Sequence, residues 1–218
     1  MSGLRCDLLR ARDPAPASGP THVLMLHGLG DSVDGWKPVL PELRLPGVHG
    51  LFAQAPLPYP AGDPFGWSWF DLGPGLEPDA GHIRAHRELL RRLLADLERD
   101  HDVAAERLAV IGFSQGALMA LDLALRHDRA FAGVVAISGW LAFPEEYPAA
   151  FGAAIARQRI LVTHGDADPV VPMALAQPRV AAAIAAGAPI AWRTYAKAHH
   201  LVAEELAAIR AFLLGAQP

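Results

Sequence analysis

The sequence predicts an α/β protein, a mostly parallel sheet with helices on both of its faces. Two observations lead there. Short apolar runs, rich in Val, Ile or Leu, end at glycine or proline and do not alternate with polar residues. That is the pattern of strands buried on both sides. Between several of them lie longer stretches whose apolar residues recur at helical spacing.

The runs fall at 22–26, 48–53, 108–111, 133–137, 160–163 and 190–195. Stretch 79–101 puts Ile83, Leu90, Leu93, Leu94 and Leu97 on one face, with Arg84, Arg87, Glu88, Arg91 and Glu98 largely on the other. This predicts an amphipathic surface helix. Stretch 115–127 is apolar nearly all round (Leu118, Met119, Leu121, Leu123, Leu125), which predicts a buried central helix. Stretches 173–186 and 202–214 complete the series. The proline-rich stretch 13–20 reads as a loop, because too little chain precedes it to make a domain.

Composition narrows the class. With 218 residues, 52% of them hydrophobic, residues 1–218 suit one domain with a sizeable core. The lone Cys6 forbids an intrachain disulfide and any Cys-based metal cluster. A net charge of -4 provides no basic footprint, which argues against nucleic acid as a partner. The longest apolar run, at 130–143, contains Ser138 and two glycines and falls short of the roughly 20 residues of a membrane helix. No apolar signal core is visible in the first ten residues, so a cytoplasmic location is expected.

The most informative string is Gly112-Phe113-Ser114-Gln115-Gly116, between the run 108–111 and the apolar helix that begins at Gln115. A sharp strand-to-helix turn strains the serine backbone and lifts its hydroxyl clear of the sheet. Glycines two residues either side leave room for the neighbouring strand and helix. The helix N-terminus aims its amides at the space where an oxyanion would form.

A serine nucleophile needs a base, and a carboxylate to orient that base. In this architecture they follow in the order Ser, acid, His. After the run 160–163 comes His164-Gly165-Asp166-Ala167-Asp168-Pro169, and after the last run comes Ala198-His199-His200. Asp168 is preferred as the acid, because Pro169 biases it towards an extended backbone; Asp166 suits an Asx-type turn bond. Chemistry alone does not separate His199 from His200. The glycine-rich loop His27-Gly28-Leu29-Gly30-Asp31 follows the first run, so the oxyanion donors expected are the backbone N–H groups of Leu29 and Gln115. A dinucleotide site is not expected there, since Val33 stands where the third glycine would.

Together these motifs resemble the phospholipase/carboxylesterase family of α/β-hydrolases, from about residue 22 to 214. The Gly28 loop, the Ser114 elbow, Ser138-Gly139-Trp140-Leu141 and the Asp168 loop each resemble their family counterparts. Gly66-Trp67-Ser68-Trp69-Phe70-Asp71 matches the family's Pro-Ser-Trp segment only in part. Family members commonly place the histidine five and six residues before an acidic pair. Counting back from Glu204 and Glu205 reaches His199, which the resemblance therefore implies as the base. It also implies an α/β-hydrolase fold without a large cap, a small carboxylic ester as substrate and no metal or cofactor. Acyl-protein thioesterase or lysophospholipase activity is the rival expectation. A non-catalytic binding protein on the same scaffold is disfavoured by the complete Ser, Asp and His set. The aromatic stretch 61–75 is expected to wall or cover the site, with Trp69, Phe70 and Trp140 as pocket candidates. A homodimer is compatible with all of this.

Overall fold

The computed structural model of the chain describes residues 3–60 and 66–216. In chain order the elements are β1 (Cys6–Leu9), β2 (His22–Leu26), α1 (Val33–Trp36), α2 (Val39–Glu42), β3 (His49–Ala53), β4 (Leu57–Tyr59) and β5 (Gly66–Ser68). They continue with α3 (Ala80–His101), β6 (Leu108–Phe113), α4 (Gln115–Leu125), β7 (Gly133–Ile137), β8 (Ile160–Gly165), α5 (Met173–Ala185), β9 (Ile190–Tyr195) and α6 (Ala203–Leu213).

Seven strands form one sheet in the order β1-β3-β2-β6-β7-β8-β9. Only β1 is antiparallel, paired with β3 at the edge. The run-based reading assigns no strand to the first segment. β1 has two half-buried and two exposed residues, so it lacks the continuous apolar run that marks the inner strands.

The inner strands read as unbroken apolar runs because each alternates between two covered faces. Leu24, Leu26, Val110, Val134 and Val162 face one core with α3, α4 and α5. Val23, Met25, Ile111, Val135 and Leu161 face the other, closed by Val33 and Trp36 of α1, Leu40 of α2, and Ile209 and Phe212 of α6. Burying Leu24 and Leu26 completely is worth about 1.5–3 kcal/mol each.

α3 starts at Asp79, whose carboxylate accepts the backbone N–H of His82 at 2.8 Å, and ends at Asp102 in the left-handed region. α4 is buried along its whole length. It lies directly against β2: a Cβ on Gly116 would sit 2.1 Å from the carbonyl oxygen of Leu26, so only glycine allows this approach. Asp122, on α4, has no exposed surface and accepts hydrogen bonds from Arg87 of α3 and Arg126.

The β4–β5 hairpin sits beside the carboxyl ends of the strands. Gly30 N–H donates to Trp67 O at 2.9 Å and Trp67 N–H donates to Asp31 O at 3.0 Å. The hairpin thus clamps the loop that follows β2. Among the described residues, no helix is long and apolar enough to cross a membrane.

Candidate active site

Ser114 occupies the turn from β6 into α4 at φ 54°, ψ -116°, a region non-glycine residues rarely adopt. Neighbouring elements hold it there. Its N–H donates to Ile137 O of β7 at 2.9 Å, while its carbonyl accepts the N–H groups of Ala117 and Leu118. Gly112 is required because a Cβ would meet Gly116 O at 2.1 Å, and Gly139 because its Cβ would meet Ala117 Cβ at 2.5 Å.

The carboxyl ends of β8 and β9 carry the other two groups. His199 Nδ1 lies 2.7 Å from Asp168 Oδ2. Asp168 Oδ1 accepts the backbone N–H groups of Val170 and Val171, both at 2.9 Å. The Asx-type turn expected of Asp166 therefore belongs to Asp168, and Asp166 is exposed. Burial would raise the Asp168 carboxyl, but the His199 ring and the two N–H groups outweigh it and hold the carboxyl below its ordinary value. His199 is half-buried, with the Phe113 ring 4.8 Å from its own; His200 is exposed. His164, fully buried behind this pair, donates from Nε2 to Val171 O at 2.8 Å. Burial lowers its tendency to protonate, so it fixes the loop without adding a charge.

The loop after β2 completes the constellation. His27 Nε2 accepts Ala55 N–H at 3.1 Å and the Gln54 amide at 2.9 Å; its Nδ1 then donates to Gly28 O at 2.7 Å. Burial keeps this imidazole neutral, as the pattern of bonds requires. Ser114, His199, Leu29 and Gln115 all line one cleft of about 260 Å³. Leu72, Leu76, Trp140, Val170 and Val171 form its apolar walls. Among the described residues, no protein group takes the backbone N–H of Leu29 or Gln115. A serine hydroxyl, an imidazole oriented by a carboxylate, and two free amides in one apolar cleft are the parts an acyl transfer needs.

A second hollow, about 750 Å³, opens at the opposite ends of the strands between β1 and α3. Cys6 lines it, but burial pushes its thiol up to about 11, so it stays protonated and is a poor nucleophile.

The model of the phospholipase/carboxylesterase family matches residues 15–215. The chain belongs to the phospholipase/carboxylesterase family. Among its relatives is acyl-protein thioesterase 1 of Debaryomyces hansenii, 31% identical over 163 residues, 68% of this chain and 70% of that one. The solved structure of esterase PE8 superposes with a TM-score of 0.81 at 26% identity, covering 97% of this chain and 98% of that one. Acyl-protein thioesterase 2 of Zea mays gives a TM-score of 0.78 at 26% identity, covering 96% and 97%. This phospholipase/carboxylesterase family member is thus an α/β-hydrolase without a large cap, and a serine hydrolase of the carboxylesterase and thioesterase class.

Within this family member, two of the three expected pocket aromatics lie elsewhere. Trp140 lines the cleft, but Trp69 and Phe70 have no exposed surface and do not. Trp69 donates from Nε1 to His27 O at 2.9 Å, and Phe70 meets Trp140 edge-on at 5.9 Å. Both support the cleft from behind. Of stretch 61–75, expected to wall the site, Leu72 lines the cleft, joined by Leu76 just beyond it, while residues 61–65, including Phe65, lie outside the described residues. Sequence reasoning also missed the Gln115 side chain. It accepts Trp69 N–H at 2.9 Å and Ser68 Oγ–H at 3.1 Å, and donates to Phe70 O at 2.8 Å. A glutamine at the start of a helix that is polar elsewhere only at Asp122 was the available signal.

Proposed function

We propose that this family member is a single-domain carboxylesterase that hydrolyses short to medium acyl esters through Ser114, His199 and Asp168. The observation that carries the reading is the 2.7 Å contact of His199 Nδ1 with Asp168 Oδ2, in a ring that shares the cleft with Ser114. A carboxylate held ionised fixes the Nδ1–H tautomer and leaves Nε2 free to accept the serine proton. Ser114 Oγ then attacks the ester carbonyl, and the developing oxyanion is held by the N–H groups of Leu29 and Gln115. Such donors commonly contribute about 3–4 kcal/mol each to the transition state. The protonated imidazole passes its proton to the leaving alcohol, and water hydrolyses the acyl-serine by the same route in reverse.

The acyl group lies against Leu72, Leu76, Trp140 and Val171. A cleft of about 260 Å³ falls just below the roughly 300–1,000 Å³ of drug-sized ligand sites, which favours short to medium chains. Thioester hydrolysis is the second reading, favoured by the relatives that carry the acyl-protein thioesterase name. Hydrolysis of p-nitrophenyl esters from acetate to palmitate, beside a palmitoyl thioester, tests both with wild type and Ser114→Ala. The carboxylesterase reading expects peak turnover at short to medium chains. Peak turnover on palmitate or the thioester selects the second reading, and a wild type no faster than Ser114→Ala overturns both.

A further inference from the structure

The loop 196–202, which carries His199, leads from β9 into α6 and holds one of only two lysines among the chain's 19 basic residues. Lys197 is buried, as are Glu205 in the first turn of α6 and Ser138 at the end of β7. The lysine Nζ donates to both carboxylate oxygens of Glu205, at 2.6 and 2.7 Å, and to Ser138 Oγ at 3.2 Å. The ammonium therefore has the carboxylate on one side and the Ser138 hydroxyl as a further acceptor.

Each partner leads to a different part of the site. Ser138 donates its N–H to Thr163 O of β8 and precedes Gly139, which packs against Ala117 and the Ser114 carbonyl. Lys197 O accepts Ala167 N–H at 3.2 Å, beside Asp168, and closes on Gly165, where a Cβ would lie 2.3 Å away. Glu205 ties the loop to the helix behind it. A buried ion pair is weak evidence of stabilisation, because desolvation offsets much of the attraction. One that joins three segments of a site has a positional consequence instead.

We propose that Lys197, with Glu205 and Ser138, is a positioning device that sets the His199 loop in register with Asp168 and the Ser114 turn. It rests on the reading of His199 as the base. A Lys197→Met/Glu205→Leu variant removes both charges at once, so no lone buried charge is left and the fold is kept. Two quantities are read. One is the split of kcat from KM on p-nitrophenyl acetate; the other is the downfield proton NMR resonance of the His199 Nδ1–H bonded to Asp168.

The expected result is a tenfold to hundredfold loss of kcat, KM within twofold, and a resonance broadened by exchange with solvent. Ser138→Ala keeps both charges and drops one bond. It is expected to lose kcat twofold to tenfold in the same pattern. A folded double variant with wild-type kcat and an unchanged resonance overturns the proposal. If that variant does not fold, wild-type values in Ser138→Ala overturn it. His199→Ala is measured beside them: if it remains fully active, the base assignment fails and this inference with it. A dead His199→Ala beside an unaffected double variant removes the positioning device alone.

Discussion

The side-chain oxygen of Gln115 accepts the backbone N–H of Trp69 at 2.9 Å, across 46 residues of chain. With the bonds to Ser68 and Phe70, this amide pins the segment behind the cleft to the helix that starts at the elbow. Gln115→Ala would leave Trp69 N–H buried without a partner, at about 1–3 kcal/mol, and would leave Phe70 O with the Ser68 hydroxyl alone, at 2.7 Å. The backbone N–H at position 115 remains, so the folded variant should keep measurable esterase activity. Urea unfolding and turnover per folded molecule check the two halves.

The two adjacent histidines should separate cleanly. His199→Ala is expected to lose activity by at least about a thousandfold, since it removes the proton acceptor. His200 is exposed, and His200→Ala should remain within about twofold of wild type. Steady-state rates on one short ester decide it.

Asp168 links activity to acid stability. Its carboxyl is held below its ordinary value in the fold, so its network stabilises the protein above roughly pH 4 and loses that contribution as pH falls through the lowered value. Asp168→Asn should therefore flatten the dependence of the urea midpoint on pH below about 4. Because the amide donates where the carboxylate accepts, it favours the wrong imidazole tautomer, and kcat should fall about ten-thousandfold.

Two glycines should respond differently to alanine. In Gly116→Ala the new methyl meets the Leu26 backbone at 2.1 Å, where nothing flexible can yield, so little folded protein is expected. In Gly28→Ala it meets the Phe113 ring at 3.1 Å and Ser114 Cβ at 3.4 Å. That variant should fold with a small loss of stability and lose activity from a narrowed cleft. Soluble yield, thermal unfolding and kcat/KM distinguish the two cases.

Asp122→Ala would strand the guanidinium of Arg87, whose side chain is only 13% exposed, and leave that of Arg126, 11% exposed, with Glu146 alone. Removing one partner from such a buried set costs about 3–5 kcal/mol. Asp122→Asn should recover part of that loss, because the amide oxygen still accepts. Denaturant midpoints measure the difference, and kcat per folded molecule should stay near wild type.

The sequence by itself determined the α/β class and its inner strands. A strand with both faces covered is apolar along its length, and β2 and β7 begin and end where the runs do. The helices were equally legible, because an amphipathic α3 and a nearly all-apolar α4 differ in how many of their sides are covered. The order of the serine, aspartate and histidine loops was also written in the chain. Partners were not. Packing in three dimensions placed Trp69 and Phe70 behind the cleft and set Leu72 and Leu76 on its wall; His199, which its spacing to Glu204 and Glu205 already favours over His200, lies against Asp168. Periodicity reports whether an element is buried, not what lies opposite it. Lys197 and Ser138 stand 59 residues apart and Gln115 and Trp69 stand 46 apart, and such pairs exist only after the sheet has brought its loops to one edge.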